Sequence, residues 1–255
     1  MYIKGGLKGV CMEFNSPKQE SEIQFRDDVT VELIDSMASD LSVVRSAKVS
    51  TVGDLSTLES DAEKSAGLIN FLMRDRHGTP FEHNSMTFFV SAPIFVFREF
   101  HRHRIASYNE ESGRYKKLQP VFYVPGKDRN LIQSGKTGSY TFEPGTAEQH
   151  SIVEAETKAA CTRAYAAYLA MLDAGIAREV ARGVLPVSTF SSMYVTMNAR
   201  SLMNFLSLRT KSDDSHFPSF PQREIEMVAE KIEKEFSKLM PLTHSAFVKH
   251  GRVSP

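Results

Sequence analysis

Helical periodicity, sustained over long stretches, most limits what this chain can fold into. Residues 146–172 keep it throughout. From about Gln222, Ile225, Val228, Ile232, Phe236 and Leu239 recur at spacings of three and four, which lays one apolar stripe along a helix. Shorter helices precede these. Ser39 and Asp40 can cap one running to about Ser50, with Leu41, Val44 and Ala47 on one face. Asp61 begins another, carrying Leu68, Phe71 and Leu72, with Gly78 as its C-terminal stop. Residues 178–185 form a short helix ended by Pro186, and Asn198 caps a helix bearing Leu202, Phe205 and Leu206.

Strands are few. Residues 86–91 alternate Met86, Phe88 and Val90 against Thr87, Phe89 and Ser91, the period of a strand with one buried face. Residues 190–196 also read as extended, and Pro93 suits the first turn of a helix because it has no N–H to leave unpaired. Residues 127–145, rich in Gly, Ser, Thr and Lys, read as a surface loop or excursion. The fold class expected is mixed α/β (α+β), in one domain.

Charge narrows the function. Lys plus Arg equals Asp plus Glu at 31 each, so no global field draws the chain to nucleic acid or an anionic membrane. The longest charge-free stretches, 84–97 and 183–199, are broken by Pro and Ser and fall short of the roughly 20 apolar residues of a membrane helix. Residues 1–14 show no targeting signal, so a cytoplasmic protein is expected. Cys11 and Cys161 have no metal-ligand spacing, which excludes zinc on cysteine and favours reduced thiols. Cys161, on the long helix, reads as a packed small residue.

Any basic site must then be local, and one segment concentrates it. Residues 98–115 read REFHRHRIASYNEESGRY. Arginine forks match phosphates and carboxylates, while Ser107, Asn109, Ser112 and the backbone at Gly113 add neutral donors. Arg98 and Arg102, four apart, share a helix face, whereas Arg104 turns away, which suggests two ligands. A solvated helix end with Glu99, Glu110 and Glu111 pairing the arginines is the plainer alternative. RNA stacked on Phe100, Tyr108 and Tyr115 is a rival on chemistry alone, and zero net charge argues against it. His101 and His103 lie only two apart with no H-E-x-x-H pattern, so no metal site is expected. No G-x-G-x-x-G occurs, and Gly135-Lys136-Thr137 fails as a phosphate loop because Asn130 stands at the required glycine.

These residues resemble a known family. Arg102-His103-Arg104 followed by Ser107, Asn109, Glu110, Ser112, Gly113, Arg114 and Tyr115 resembles the signature of the flavin-dependent thymidylate synthases, the ThyX family. The blocks LSVVRSAKVS (41–50), HGTPFEH (77–83), REVARGVLP (178–186) and NARSLMNFLSLR (198–209) extend it over about 31–249. The resemblance implies a single catalytic domain spanning 1–255, with 1–30 as an N-terminal extension and a central sheet flanked by long helices. It implies a homotetramer with sites between subunits that makes dTMP from dUMP. Carbon would come from 5,10-methylenetetrahydrofolate and hydride from NADPH through FAD, with no protein nucleophile.

By matching positions, FAD contacts Ser50, Thr79, Arg102, His103, Arg104, Glu110, Asn198, Arg200 and Asn204. The dUMP site uses Glu99, Arg102, Glu110, Ser112, Gly113, Arg114, Arg182 and Arg209, with Arg114 and Arg182 on the phosphate. The resemblance implies that Arg209 would be the catalytic residue, stabilising an N3-ionised uracil. His77 and Tyr115 would stack on folate or nicotinamide. The chain departs from the family pattern in three places. Glu99 stands where many relatives carry Gln, and needs Arg98 or Arg102 to neutralise it. His101 replaces a large apolar residue, and the stretch 211–222 is longer than usual.

Overall fold

The computed structural model describes residues 22–53, 62–136 and 139–255. Cys11, Asp61 and Thr137 lie outside the described residues. The described chain begins with β1 (Gln24–Arg26) and β2 (Thr30–Ser36). Thus Gln24–Arg26 and Thr30, within the stretch set apart by the resemblance as an extension, already pair with later strands. Helix α1 (Asp40–Val52) opens on a capping box, in which the Ser42 backbone N–H donates to Ser39 Oγ at 3.2 Å. Helix α2 (Ala62–Arg74) is not stopped by Gly78. The chain turns at Arg76, whose φ of 62° is left-handed, and His77 N–H returns to the Leu72 carbonyl at 2.9 Å, closing the helix end as a glycine usually would.

A single 3₁₀ turn, Thr79–Glu82, leads into β3 (Met86–Pro93). Met86, Phe88 and Val90 are fully buried, as the alternation requires. Each large side chain so buried contributes about 1.5–3 kcal/mol. Pro93 ends this strand and caps α3 (Ile94–Phe100), so it stands one position before the first helical turn where the sequence put it. Strands β4 (Ser107–Glu110) and β5 (Val121–Tyr123) follow. Residues 127–145 are not a loop alone: β6 (Ile132–Lys136) and β7 (Ser139–Glu143) pair in an antiparallel hairpin. Its β6 side chains are all exposed, so no apolar alternation marks it.

Helix α4 (Ala147–Asp173) starts at the Thr146–Gln149 capping box. After α5 (Arg178–Ala181) and a 3₁₀ turn over Arg182–Val184, β8 (Phe190–Met197) crosses the molecule. Asn198 Oδ1 accepts from the Ser201 N–H at 2.8 Å and starts α6 (Ala199–Arg209). Helices α7 (Arg223–Leu239) and α8 (Pro241–Lys249) complete the described chain. No helix among the described residues is long and apolar enough to cross a membrane.

The central sheet has the order β2-β3-β8-β4, every pair antiparallel, with Phe88 opposite Val195 and Val90 opposite Met193. The inner face of β3 and β8 joins Leu202, Phe205 and Leu206 of α6 and Ile225, Val228, Ile232 and Phe236 of α7 in the main core. A smaller cluster of Phe122, Cys161, Tyr165, Tyr168 and Ala181 lies under α4. Cys161 is there a packed free thiol, 3.4 Å from Ser188 Oγ.

Candidate active site

Helix α3 points its polar end out of the core, and it stops at Phe100. Phe100 stacks on Phe205 with ring centroids 4.6 Å apart, which anchors the helix to α6. The next residues leave the helix in tight turns, with His103 N–H on the Phe100 carbonyl at 2.9 Å. Tyr108 Oη, reaching back from β4, lies 2.9 Å from the Phe100 carbonyl and 2.6 Å from that of His103. Burial pushes this phenol up to about 12, so it stays a donor. The helix-face pairing of Arg98 with Arg102 therefore fails, because the helix ends between them. Arg102 and Arg104 instead line one cavity together.

That cavity, about 580 Å³, is walled by the pinned turn and by α6. Five of its lining residues are arginines: Arg76, Arg102, Arg104, Arg200 and Arg209. Glu82 is the single side-chain carboxylate in its lining among the described residues. A donor set of this kind suits a guest carrying several negative charges.

Arg209 is the most constrained of the five. Its Nη1 pairs with Glu99 Oε2 at 2.7 Å and its Nε donates to His103 Nε2 at 3.0 Å. Burial, then the Arg209 charge, lowers His103 to about 4. The ring is therefore neutral near pH 7, and accepting at Nε2 places its proton on Nδ1. Burial raises Glu99, and Arg209 opposes that shift. The neutralising partner of Glu99 is thus Arg209, not Arg98 or Arg102 as the sequence reading required. One guanidinium is aimed by two side chains that come from a segment about a hundred residues earlier.

The other dUMP candidates gather elsewhere. Glu110 closes β4, where its Oε1 accepts from Ser191 Oγ at 2.9 Å. Gly113 faces Arg182 so closely that a Cβ there would lie 3.2 Å from Arg182 Cδ. Arg114 Nε pairs with Glu179 at 2.9 Å and its guanidinium stands 5.9 Å from the Tyr115 ring centroid. Arg114, Tyr115 and Arg182 are exposed, and none of this group lines the arginine-rich cavity. The sequence candidates thus form two sets within one chain.

Of the FAD candidates, Arg102, His103, Arg104, Arg200 and Asn204 meet at the cavity, while Ser50, Thr79, Glu110 and Asn198 do not line it. Ser50 is exposed near the end of α1, and the Asn198 side chain is spent on the α6 cap. His77 is exposed and stacks on Phe71 with centroids 5.6 Å apart. The structure adds Arg76, Glu82, Ile105, Ser201, Leu208, Ser254 and Pro255 to the wall. Glu82 lay inside the HGTPFEH block, and Arg76 adjoins it. Ser254 and Pro255 carried no sequence signal.

A second cavity of about 510 Å³ lies between the β6–β7 hairpin and the start of α7. It holds none of the sequence candidates, and its arginines are already committed, Arg129 to Glu224 and Arg223 to Glu226. Among the described residues no group of three or more His, Cys, Asp or Glu is placed to hold a metal ion.

Comparison with known proteins gives this geometry a family. The chain is 60% identical over 242 residues to a flavin-dependent thymidylate synthase of Streptomyces coelicolor, covering 94% of this chain and 98% of that relative. A crystal structure of a UMP/dUMP methylase PolB from Streptomyces cacaoi bound with 5-Br dUMP matches with a TM-score of 0.87 at 55% identity, across 91% of this chain and 100% of that one. The same methylase bound with 5-Br UMP matches with a TM-score of 0.85 at 53% identity, across 91% and 99%. The family profile described as thymidylate synthase complementing protein matches residues 32–242, and the chain belongs to that family.

Proposed function

We propose that this protein is a flavin-dependent thymidylate synthase that converts dUMP to dTMP. The C5 hydrogen of dUMP is lost as a proton, and the methylene carbon of 5,10-methylenetetrahydrofolate together with a hydride becomes the methyl group. NADPH is oxidised and tetrahydrofolate released. FAD would be held by Arg102, His103, Arg104, Arg200 and Asn204 at the cavity and by Ser50, Thr79 and Glu110 from outside it, with Asn198 fixing the start of the helix that carries Arg200 and Asn204, and it would supply the hydride chemistry between NADPH and the nucleotide. The donor chemistry of the cavity fits such a group, since guanidiniums and one amide face a volume of about 580 Å³.

The observation that carries this reading is Arg209, fixed by Glu99 and neutral His103 at the mouth of α6. A guanidinium held in advance stabilises the charge on an ionised uracil without reorganising at the moment of reaction. Its Glu99 partner must yield part of that charge to the incoming anion. Arg114 and Arg182, with Ser112 and Gly113, take the nucleotide phosphate. Because these two sets are separate within one chain, the complete site joins the Arg209 set of one copy to the Arg182 set of another, in a homotetramer of single catalytic domains. Exposed His77 and Tyr115 are ring platforms for folate or nicotinamide.

UMP is the competing acceptor, because the similar PolB is a UMP/dUMP methylase with both 5-bromo nucleotides bound in its structures. The test starts with the visible spectrum of purified protein after addition of FAD and desalting. NADPH is then added without oxygen, followed by methylenetetrahydrofolate with dUMP or UMP. Retained flavin that bleaches with NADPH, and dTMP as product, is the expected result. Protein that keeps no flavin contradicts the reading, and a 5-methyl product from UMP alone reassigns the acceptor.

A further inference from the structure

Arg200 stands in the first turn of α6, and it is held from a part of the chain to which no role has been assigned. Its Nε donates to the Pro255 main-chain oxygen at 2.6 Å, its Nη1 pairs with Glu82 Oε1 at 2.6 Å, and its own carbonyl accepts from Ser254 Oγ at 2.9 Å. Pro255 is buried and, with Ser254, lines the arginine-rich cavity.

Gly78 closes the other side. A Cβ built there would lie 2.5 Å from Arg200 Nε, 2.6 Å from Cζ and 2.8 Å from the Pro255 oxygen. No left-handed backbone calls for glycine here, since its φ is −73°. Space for the guanidinium does.

The segment 251–255 is itself strapped down. Gly251 and Arg252 have φ of 71° and 56°, which swings the chain back from α8. Arg252, 6% exposed, bonds Glu233 through Nη1 and Nη2 at 2.7 and 2.8 Å. Its Nη2 also donates to Thr210 Oγ1 at 2.7 Å. Thr210 follows the last residue of α6, so the segment grips both ends of the helix that carries Arg200, Ser201, Asn204, Leu208 and Arg209 into the cavity.

We propose that Gly78, Ser254 and Pro255 are positioning residues of the flavin site, clamping the Arg200 guanidinium so that it faces the anionic part of the flavin dinucleotide. The proposal rests on the flavin reading above and goes beyond it, because the family resemblance gives Gly78 no role of its own and its motifs do not reach Ser254 and Pro255. Glu82 alone would leave Arg200 free to swing about one ion pair. The Pro255 oxygen and the absent Cβ at Gly78 remove that freedom, and an arginine fixed before binding loses less entropy on meeting its anion.

The test is FAD affinity of the apoprotein, read by quenching of flavin fluorescence, with thermal melting of the same apoprotein beside it. In Gly78→Ala the two nearest atoms belong to the flexible end of Arg200 and the third is the Pro255 main-chain oxygen, so the guanidinium and Pro255 shift while the rest of the fold is kept. Gly78→Ala and removal of residues 254–255 are each expected to weaken FAD about ten- to hundredfold, the worth of one hydrogen bond to a charged group. Ser254→Ala, which leaves the Pro255 oxygen in place, weakens it less. The melting midpoint of Gly78→Ala is expected to fall by only a few degrees, since one methyl is added and the flexible end of Arg200 takes up most of the clash.

The deciding result is the double variant. If Gly78 acts through Arg200, then Gly78→Ala adds no further loss in an Arg200→Ala background. Additive losses there overturn the proposal, as do Gly78→Ala and shortened proteins that bind FAD like the parent. Parent protein that binds no FAD overturns the flavin reading and this proposal with it. If the shortened protein fails to fold, Gly78→Ala alone and in the double variant decides.

Discussion

The cavity on α6 and the exposed group after β4 both gather arginines, yet they hold them in opposite ways. Around the cavity each key guanidinium has partners from distant sequence: Arg209 has Glu99 and His103, and Arg200 has Glu82 and Pro255. After β4, Arg114 pairs with Glu179, both side chains more than half exposed, a pair worth at most about 1 kcal/mol, and its other neighbour is the exposed Tyr115 ring. Arg182 is exposed as well. One region is organised by its own chain before any guest arrives. The other presents exposed charge to solvent, which is the arrangement expected of a surface that a second copy completes. The difference teaches that arginine content alone marks a site poorly, whereas the partners that fix each arginine separate a preorganised half from a waiting one.

The comparison breaks most sharply at Arg209. Arg209→Ala is expected to lower kcat for dTMP formation about 10²- to 10³-fold while FAD remains bound, as a single-turnover assay beside a flavin titration will show. Loss of flavin with little change in turnover would move Arg209 from the chemistry to cofactor binding. Arg182→Ala probes the other half. It should raise KM for dUMP about ten- to hundredfold, leaving FAD affinity and the melting temperature of the apoprotein unchanged.

His103 sharpens the account of the organised half through pH. Its folded value, about 4, lies below the ordinary 6.5, so between those values the unfolded chain binds a proton that the folded chain refuses. Stability therefore falls as pH drops from about 6.5 towards 4, by at most about 1.4 kcal/mol per unit from this group. Urea unfolding across that window should show the slope, and His103→Gln should flatten it. The smallest effect is expected at Glu99. In Glu99→Gln an oxygen still accepts from Arg209 but no charge competes with the ionised uracil, so dUMP binds equally well or a few-fold more tightly. Binding weakened tenfold or more would show that the carboxylate itself holds the nucleotide.

Much of this was legible in the residues, and what was hidden has physical causes. β3 announced itself because Met86, Phe88 and Val90 are buried and alternate, and Asn198 announced α6 because a short polar side chain satisfies its first free N–H groups. β4 did not, because Ser107–Glu110 is polar and mostly exposed and owes its extended form to pairing with β8. Arg76 occupies a left-handed turn that a sequence reader reserves for glycine, so Gly78 drew the helix stop that belongs two residues earlier. α3 was expected to carry the arginines on its faces, but it ends at Phe100, where Tyr108 pins the chain into turns. Arg102, Arg104 and Arg209 were named as binding residues from their motifs. Their grouping with one another, and the pairing of Glu99 with Arg209, depended on contacts across the fold that no local spacing encodes. The segment 251–255 was silent because its contact with the Arg200 guanidinium is made by a main-chain oxygen, which no side-chain type announces.

The account stands or falls on whether the two halves meet across copies. The direct measurement mixes Arg209→Ala and Arg182→Ala proteins under conditions that exchange subunits, and compares dTMP formation, at dUMP well below the KM of Arg182→Ala, with that of each variant alone. One kind of site in the mixed assembly then has Arg209 from one copy and Arg182 from the other, both intact. Recovery of a substantial fraction of parental activity on mixing is the result the account predicts. A mixture that stays as inactive as its components, although exchange is verified by mass, would contradict it and place both arginines in a site built by a single chain.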